Sequence, residues 1–409
     1  MGCNVCLMLY AALASMMNIL QSVKLITKQY HCHPRYIYIL LSVCVTLYVS
    51  LSLSHTYFAN VLQRTTFFET KNNTTRNFST GFQCAQNRYC TSKNKNLSLL
   101  QSSAAKMVVH ANEATERYAV VTGANKGIGL ETVRQLAAAA GVTVILTARD
   151  EKRGTDAVAS LALPNVIFHQ LDVQDPSSVH SLADFICAKF GRLDILVNNA
   201  GASGVIVDED SLRAMKIDPA SWLSGQAKNM VQGVIKTSYD KAKECLNTNY
   251  YGVKRVTEGL LPLLKLSPSG ARVVNVSSLR GELWRIPSEQ IRKELGDIET
   301  LTEQKIDGIV DRFFLDLKND MLEVNGWSMM LPAYSISKAT LNAYTRVLAK
   351  KYPDMCINCV HPGYVDTDIN WHTGTLTVEE GAKGSVLLAL LPDGYTTGCY
   401  FDQTKVAEF

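Results

Sequence analysis

The stretch YAVVTGANKGIGLETV, residues 118–133, decides the fold. Its apolar start predicts a strand over residues 118–121, and a helical pattern follows over residues 130–140, with a glycine-rich turn between them. Glycines at such a turn allow a tight bend and let a pyrophosphate approach the amides at the helix N-terminus, where the helix dipole favours negative charge. The stretch therefore predicts a dinucleotide site. The residues expected to hold the dinucleotide here are Thr122, Gly123, Asn125, Lys126, Gly127, Ile128 and Gly129.

Short apolar runs alternate with helical patterns from Met107 to the end of the chain, which is typical of βαβ units and a parallel sheet. With the first strand they predict seven strands in one α/β domain over residues 107–409, a doubly wound parallel sheet of the Rossmann type. The other predicted strands are residues 142–146, 166–171, 193–197, 272–276, 356–360 and 398–401.

The first quarter of the 409-residue chain has a different composition. Residues 1–106 hold ten Lys and Arg against one acid, whereas residues 107–409 hold 31 against 36. The basic residues are spread out, without the dense clusters or interleaved aromatics of single-strand binders, so no nucleic-acid partner is expected. Residues 36–58 are apolar and about long enough for a membrane span of ~20 residues. The alternatives for residues 1–106 are a single-pass anchor or a leader wrongly joined to the gene model.

The cofactor prediction rests on the end of the second strand. A site for NAD would place an acid there to hold the ribose hydroxyls, but the chain has Thr147, Ala148 and Arg149. Arg149 and Lys126 could together bind a 2′-phosphate, so the sequence predicts NADPH/NADP+. Asp150 is the alternative, because as the next residue it could reach the ribose; otherwise it is an exposed acid at a helix start.

Two residues at helical spacing suggest proton chemistry. Tyr334 and Lys338 are four residues apart and therefore share one face of a helix. A free tyrosine has a pKa of ~10, so useful proton transfer near neutrality needs a shift of roughly 3 units, which a neighbouring ammonium and an oxidised nicotinamide could supply. Ser278 ends the run VNVSS at the tip of the fifth strand, where an open sheet exposes residues to a ligand, and Ser277 is its competitor.

These motifs together resemble the short-chain dehydrogenase/reductase family. The resemblance is carried by the TGxxxGxG spacing, by NNAG at residues 198–201, by HPGYVDT at residues 361–367, and by an ordered Asn, Ser, Tyr, Lys tetrad. It implies that the catalytic residues are Asn249, Ser278, Tyr334 and Lys338. It also implies cofactor contacts from Asp172, Val173, Asn199, Ala200, Gly201, Tyr334, Lys338, Pro362, Gly363, Val365 and Thr367.

The resemblance implies hydride transfer from NADPH to a carbonyl carbon. In that reaction Ser278 would bind the carbonyl oxygen, Tyr334 would deliver the proton, Lys338 would bind the ribose and lower the Tyr334 pKa, and Asn249 would hold a relay water. Two other functions stay open: an NAD(H)-linked alcohol dehydrogenase, and a non-catalytic, membrane-tethered binding protein on the same fold. The intact tetrad disfavours the second of these.

A long segment separates Ser278 from Tyr334. Within it, Thr300 and Glu303 predict a capping box, and apolar residues at spacings of three and four up to Leu317 predict an amphipathic helix. Such a helical insertion resembles the monomeric carbonyl reductases and, with NGW and YSISKA, the plant salutaridine reductase and (+)-neomenthol dehydrogenase group. This implies a monomer, a terpenoid- or alkaloid-like carbonyl substrate of plant secondary metabolism, and a cytoplasmic catalytic domain.

Metal chemistry is not expected. Cys356 and Cys359 form a CxxC pair inside the strand-like run CINCV, without a second pair at zinc-site spacing. We interpret them as core cysteines. His361 is interpreted in the same way, as a packing residue at a strand end.

Overall fold

The computed structural model describes residues 116–409, so the predicted span at residues 36–58 and the rest of residues 1–106 lie outside the described residues. Within residues 116–409, no helix combines the length and the apolarity that crossing a membrane requires.

The centre of the fold is a mainly parallel sheet with the strand order β3-β2-β1-β4-β7-β8-β9-β10. The order reverses direction between β1 and β4, which confirms the predicted doubly wound sheet. The strands of this sheet are β1 (Arg117–Val121), β2 (Val142–Ala148), β3 (Val166–Gln170), β4 (Ile195–Asn198), β7 (Arg272–Val276), β8 (Cys356–His361), β9 (Tyr400–Asp402) and β10 (Lys405–Ala407). A separate two-stranded ribbon joins β5 (Ile206–Val207) to β6 (Ile235–Lys236).

Over residues 116–409 the sheet has eight strands, not the predicted seven. The additional strand, β10, runs antiparallel to β9 after a turn in which Gln403 has a φ of 55°. β10 contains Lys405 and Val406, both exposed, so no apolar run marks it in the sequence. The other seven strands lie at the predicted positions because each is an apolar run.

Helices cover both faces of the sheet. They are α1 (Gly127–Ala137), α2 (Glu151–Leu161), α3 (Pro176–Phe190), α4 (Glu209–Ala214), α5 (Pro219–Ser224), α6 (Tyr239–Asn249), α7 (Tyr251–Leu264), α8 (Glu289–Gly296), α9 (Glu303–Lys318), α10 (Pro332–Lys351) and α11 (Val378–Ala389). Neighbouring strand residues belong to different core clusters: Val120 packs on one side of the sheet and Val121 on the other. Both faces are thus buried, which explains why the strands are continuous apolar runs.

The predicted insertion is present as α8 and α9. The apolar face of α9, from Ile306 to Phe313, is buried, but the predicted capping box at Thr300 is wrong. The helix is capped by Thr302, whose hydroxyl accepts a hydrogen bond from the Lys305 amide, while the Thr300 hydroxyl donates to the Asp297 carboxylate at 2.9 Å. The nearer threonine offers the extended backbone that a cap requires.

One segment of the fold contains strands and helices that were not predicted from the sequence. Residues 203–236, here called the cover segment, contain the β5–β6 ribbon, α4 and α5. Trp222 and Val231 of this segment form a small core with Met330 and Trp371, separate from the two clusters on the sheet. The segment lies against the cleft described next.

Candidate active site

A cleft of roughly 650 Å³ opens at the carboxyl ends of the strands, beside the switch between β1 and β4. In open α/β sheets this is where ligands bind. Of the catalytic and cofactor-binding residues predicted from the sequence, all except Thr122 and Asn249 line the cleft. They are Gly123, Asn125, Lys126, Gly127, Ile128, Gly129, Arg149, Asp172, Val173, Asn199, Ala200, Gly201, Ser278, Tyr334, Lys338, Pro362, Gly363, Val365 and Thr367.

The glycine-rich turn leaves the start of α1 open. Gly123 and Gly127 have φ values of 61° and 57°, which favour glycine. A Cβ added to Gly129 would lie 2.4 Å from Asn199 Nδ2, so this position also requires glycine. No side chain of the described part of the chain caps the N-terminus of α1, and its first amides are therefore available to an anion. The turn fits a dinucleotide pyrophosphate.

Thr122 supports the cleft from beneath. It is only 1% exposed, and its hydroxyl accepts hydrogen bonds from the amides of Asn199 and Ala200, both at 3.0 Å. The Asn199 side chain donates in return to the carbonyls of Thr122 and Gly123. Thr122 therefore ties the loop after β4 to the glycine-rich turn, and it is a positioning residue.

The end of the cleft beside β2 is basic. Arg149 is exposed there, and Arg153, which the sequence analysis did not identify, lines the same wall. The Asp150 carboxylate accepts a hydrogen bond from the Arg153 amide at 2.8 Å and thereby caps α2. Lys126 forms an ion pair with Asp368.

Three side chains named for proton chemistry meet in the cleft. Tyr334 and Lys338 lie one turn apart on α10, with the Lys338 Nζ 5.5 Å from the centre of the Tyr334 ring. The Lys338 Nζ donates a hydrogen bond to the Val276 carbonyl at 2.8 Å, which attaches α10 to the end of β7. The Ser277 hydroxyl is directed at Asn342 on α10, whereas the Ser278 hydroxyl accepts the Arg280 amide and interacts with the Tyr334 hydroxyl. This contrast favours Ser278 over Ser277 as the serine that faces a ligand.

The pKa of Tyr334 is raised, whereas the sequence predicted that it would be lowered. Loss of water around the phenol raises its pKa to about 12, and the Ser278 hydroxyl and the Arg280 guanidinium oppose this rise only in part. Burial lowers the Lys338 pKa to about 8. The phenol is therefore protonated at neutral pH in the protein alone, as a proton donor must be.

Asn249 does not face the cleft. It is fully buried where α6 ends and α7 begins; its Oδ1 accepts from the Ala202 amide at 2.8 Å, and its Nδ2 donates to the Ala202 carbonyl at 3.0 Å and to the Ser337 hydroxyl at 2.9 Å. Both side-chain donors are engaged. Asn249 therefore joins the loop after β4 to α10 through its side chain, and the relay water expected from the resemblance stays a prediction.

The cysteines and the histidine lie as interpreted from the sequence. Cys356 and Cys359 are buried in β8 and have free thiols. His361 is also buried, and its side chain borders the cleft. Burial lowers the His361 pKa to about 4, so its ring is neutral at pH 7.

Several cleft residues were not identified from the sequence. They are Arg153, Trp222, Arg280, Tyr364 and Asp368. Asp368 follows the HPGYVDT motif by one residue, and Arg280 follows the VNVSS run by two. This closeness to a motif is the sequence feature from which the two residues could have been predicted. Trp222 lies in the cover segment, where no motif marks it.

Comparisons with known proteins agree with this geometry. The profile of the short chain dehydrogenase family matches residues 117–287. The chain is 56% identical over 301 residues to "Short-chain dehydrogenase/reductase 1" of Saponaria officinalis, covering 72% of this chain and 97% of that protein. It is 48% identical over 304 residues to (+)-neomenthol dehydrogenase of Arabidopsis thaliana, covering 73% and 99%. The structure of salutaridine reductase from Papaver somniferum matches with 47% identity and a TM-score of 0.66, covering 70% and 99%.

The chain belongs to the short chain dehydrogenase family. This is an oxidoreductase family that uses nicotinamide cofactors, and the fold and the family predicted from the sequence are confirmed. Among its relatives are the plant reductases and dehydrogenases whose motifs the chain shares.

Proposed function

We propose that the protein reduces a ketone or aldehyde of terpenoid or alkaloid type to an alcohol, with NADPH as the cofactor. The observation that carries the proposal is the meeting of Ser278, Tyr334 and Lys338 in one cleft whose other end holds the uncapped start of α1. The names of the plant relatives support a small carbonyl compound as the substrate class.

The cleft residues divide between the parts of the cofactor. The amides at the start of α1 would hold the pyrophosphate, and Pro362, Gly363, Val365 and Thr367 would lie beside the nicotinamide. When bound, the reduced nicotinamide supplies the hydride. NADPH is favoured over NADH because Arg149 and Arg153 line the cleft after β2, together with Lys126, which is paired with Asp368. Asp150 lines the cleft too, but it is engaged in capping α2.

The chain's own groups handle the substrate oxygen and its proton. The Ser278 hydroxyl donates a hydrogen bond to the carbonyl oxygen, which orients it and stabilises the negative charge that develops there. Tyr334 donates its proton to that oxygen. The buried ammonium of Lys338 then stabilises the phenolate left behind. Asn249 and Thr122 contribute by holding α10 and the loop after β4 in position.

The test is a set of turnover measurements with NADPH and a panel of cyclic ketones, followed through loss of the reduced nicotinamide's absorbance. We expect turnover with NADPH and much slower turnover with NADH. Equal rates with the two cofactors would support an NAD(H)-linked alcohol dehydrogenase instead. NADPH binding without any turnover would support the non-catalytic binding protein.

Arg149→Ala tests the cofactor assignment. We expect the KM for NADPH to rise about tenfold or more, because a charge-assisted contact to the 2′-phosphate is lost, while the KM for NADH changes little. Lys152→Ala is the control, since Lys152 is exposed on the neighbouring helix and pairs with Asp156 outside the cleft. Equal changes in both KM values would contradict the assignment of Arg149 to the 2′-phosphate.

We further propose that residues 107–409 form one domain that acts as a monomer in the cytoplasm, with residues 1–106 dispensable for catalysis. Support comes from α9, which buries its apolar face against the rest of the domain. Residues 107–409 expressed alone are expected to sediment as a monomer and to match the full chain in kcat/KM. An inactive or aggregated product would contradict the proposal.

A further inference from the structure

Arg280 is a buried cation that has no acidic partner among residues 116–409. Its side chain is 6% exposed and lines the cleft, two residues after Ser278. Its guanidinium makes a single hydrogen bond within residues 116–409, to the main-chain carbonyl of Trp222 in the cover segment. No carboxylate of that part of the chain lies within ion-pair distance of it.

Arg272 shows what an equally buried arginine normally requires. At 5% exposure, it donates to the carbonyls of Ser269, Gly270 and Leu391 and also pairs with the Asp393 carboxylate. Buried charges are costly unless they are paired and hydrogen-bonded. By this standard Arg280 has used one of the five N–H donors of its guanidinium.

The neighbouring acid does not pair with Arg280 and has other partners. Glu282 accepts hydrogen bonds from Arg285 Nε at 2.8 Å, from Trp284 Nε1 at 3.0 Å and from the Tyr400 hydroxyl at 3.3 Å. Within residues 116–409, Arg280 therefore has no carboxylate partner for its charge.

The unused donors of Arg280 face the cleft. The fully enclosed side-chain polar atoms without a partner in the described residues belong to Asn198, Tyr344, His361 and Ser385, and no nitrogen of Arg280 is among them. Its remaining N–H groups therefore keep some exposure, and the residue lines the cleft together with Tyr334 and Tyr364. A ligand that enters beside Tyr334 would meet them.

We propose that Arg280 binds a second oxygen atom of the substrate, so that the protein selects ketones that carry a hydroxyl, ether or carboxylate oxygen in addition to the reacting carbonyl. The inference rests on the proposed carbonyl reduction and specifies its substrate class. A guanidinium in a water-poor site gains most from an oxygen acceptor, and an acceptor that is part of the substrate offsets the cost of the unpaired charge.

The test compares kcat/KM for cyclohexanone with that for 4-hydroxycyclohexanone and 4-oxocyclohexanecarboxylate, which differ from it by the added oxygen group. The wild type is expected to favour at least one oxygen-bearing ketone about tenfold or more, and Arg280→Met is expected to remove this preference. Arg280→Lys, which keeps the charge with fewer donors, should retain part of it. NADPH affinity, measured without ketone, should be the same in all three proteins.

Arg285→Met is the matched control. Arg285 also holds the cover segment, through a hydrogen bond to the Leu223 carbonyl at 2.8 Å, but it is paired with Glu282 and does not line the cleft. This variant should retain the preference. If Arg280 acts only through the cover segment, each of the two variants will lower kcat/KM by the same factor for all three ketones. That result would overturn the proposal.

The wild type alone also tests the inference. Equal kcat/KM for all three ketones would overturn the role of Arg280 and leave carbonyl reduction standing, even if the variants fail to fold. Absence of turnover with any ketone of the wider panel would overturn the proposed function and this inference together.

Discussion

Tyr334→Phe is expected to lower kcat at least about a hundredfold, because the substrate oxygen loses its proton donor while the ring keeps its packing. The Tyr334 pKa of about 12 means that the hydroxyl carries its proton throughout the neutral range, so the effect should hold from about pH 6 to pH 8. The measurement is single-turnover reduction of a ketone with NADPH at saturating cofactor.

Tyr344→Phe is the matched control for this experiment. Tyr344 lies on the same helix, is fully buried outside the cleft, and its hydroxyl has no partner among the described residues. Removing an unsatisfied buried hydroxyl should leave kcat unchanged and stability unchanged or raised. Undiminished turnover in Tyr334→Phe would remove the assignment of Tyr334 as the proton donor.

Lys338→Met is expected to lower kcat about a hundredfold without lowering stability. The variant removes the cation that stabilises the Tyr334 phenolate. It also removes a buried charge whose cost is at most about 3 kcal/mol, as the shift of the Lys338 pKa from 10.5 to about 8 implies, against about 1 kcal/mol for the lost hydrogen bond to Val276. Lys350→Met is the control, because Lys350 is exposed on the same helix and pairs with Glu299.

The pH dependence of the free energy of unfolding tests whether Lys338 is buried as a cation or affects stability only through its packing. Because the folded-state pKa of Lys338 lies below its unfolded value, the unfolded chain holds more protons between about pH 8 and pH 10.5. This group therefore makes stability rise with pH across that window, and denaturant unfolding of the wild type should show a rise that Lys338→Met lacks. A parallel pH dependence in the two proteins would show that Lys338 is not buried with its charge. Reduction, which needs the ammonium, should slow as pH rises through about 8.

Much of the fold follows from the sequence because the strands are buried on both faces and therefore appear as apolar runs. Strand β10 and the cover segment could not be predicted in this way, since the first is short and exposed and the second packs around a few isolated residues such as Trp222. The misplaced cap at Thr300 has a similar origin, because two threonines stand close together and only backbone geometry distinguishes them.

The site shows the same division. Residues inside motifs, such as the glycines of the turn and the pair on α10, could be named because their chemistry is local. The direction of the Tyr334 pKa could not, because it depends on how much water the folded cleft excludes. Asn249 was named from the family resemblance, but only tertiary contacts show that its side-chain amide is hydrogen-bonded to Ala202 and Ser337. The missing ion pair at Arg280 likewise depends on tertiary contacts, because the nearby Glu282 pairs with Arg285.

The cover segment has its own small core, and Trp222 packs edge-on against Trp371 with ring centres 6.4 Å apart. It contributes no strand to the main sheet. The cover segment thus forms a wall of the cleft that can vary apart from the main sheet. Its link to α10 runs through Met330, which stands just before the helix that carries Tyr334.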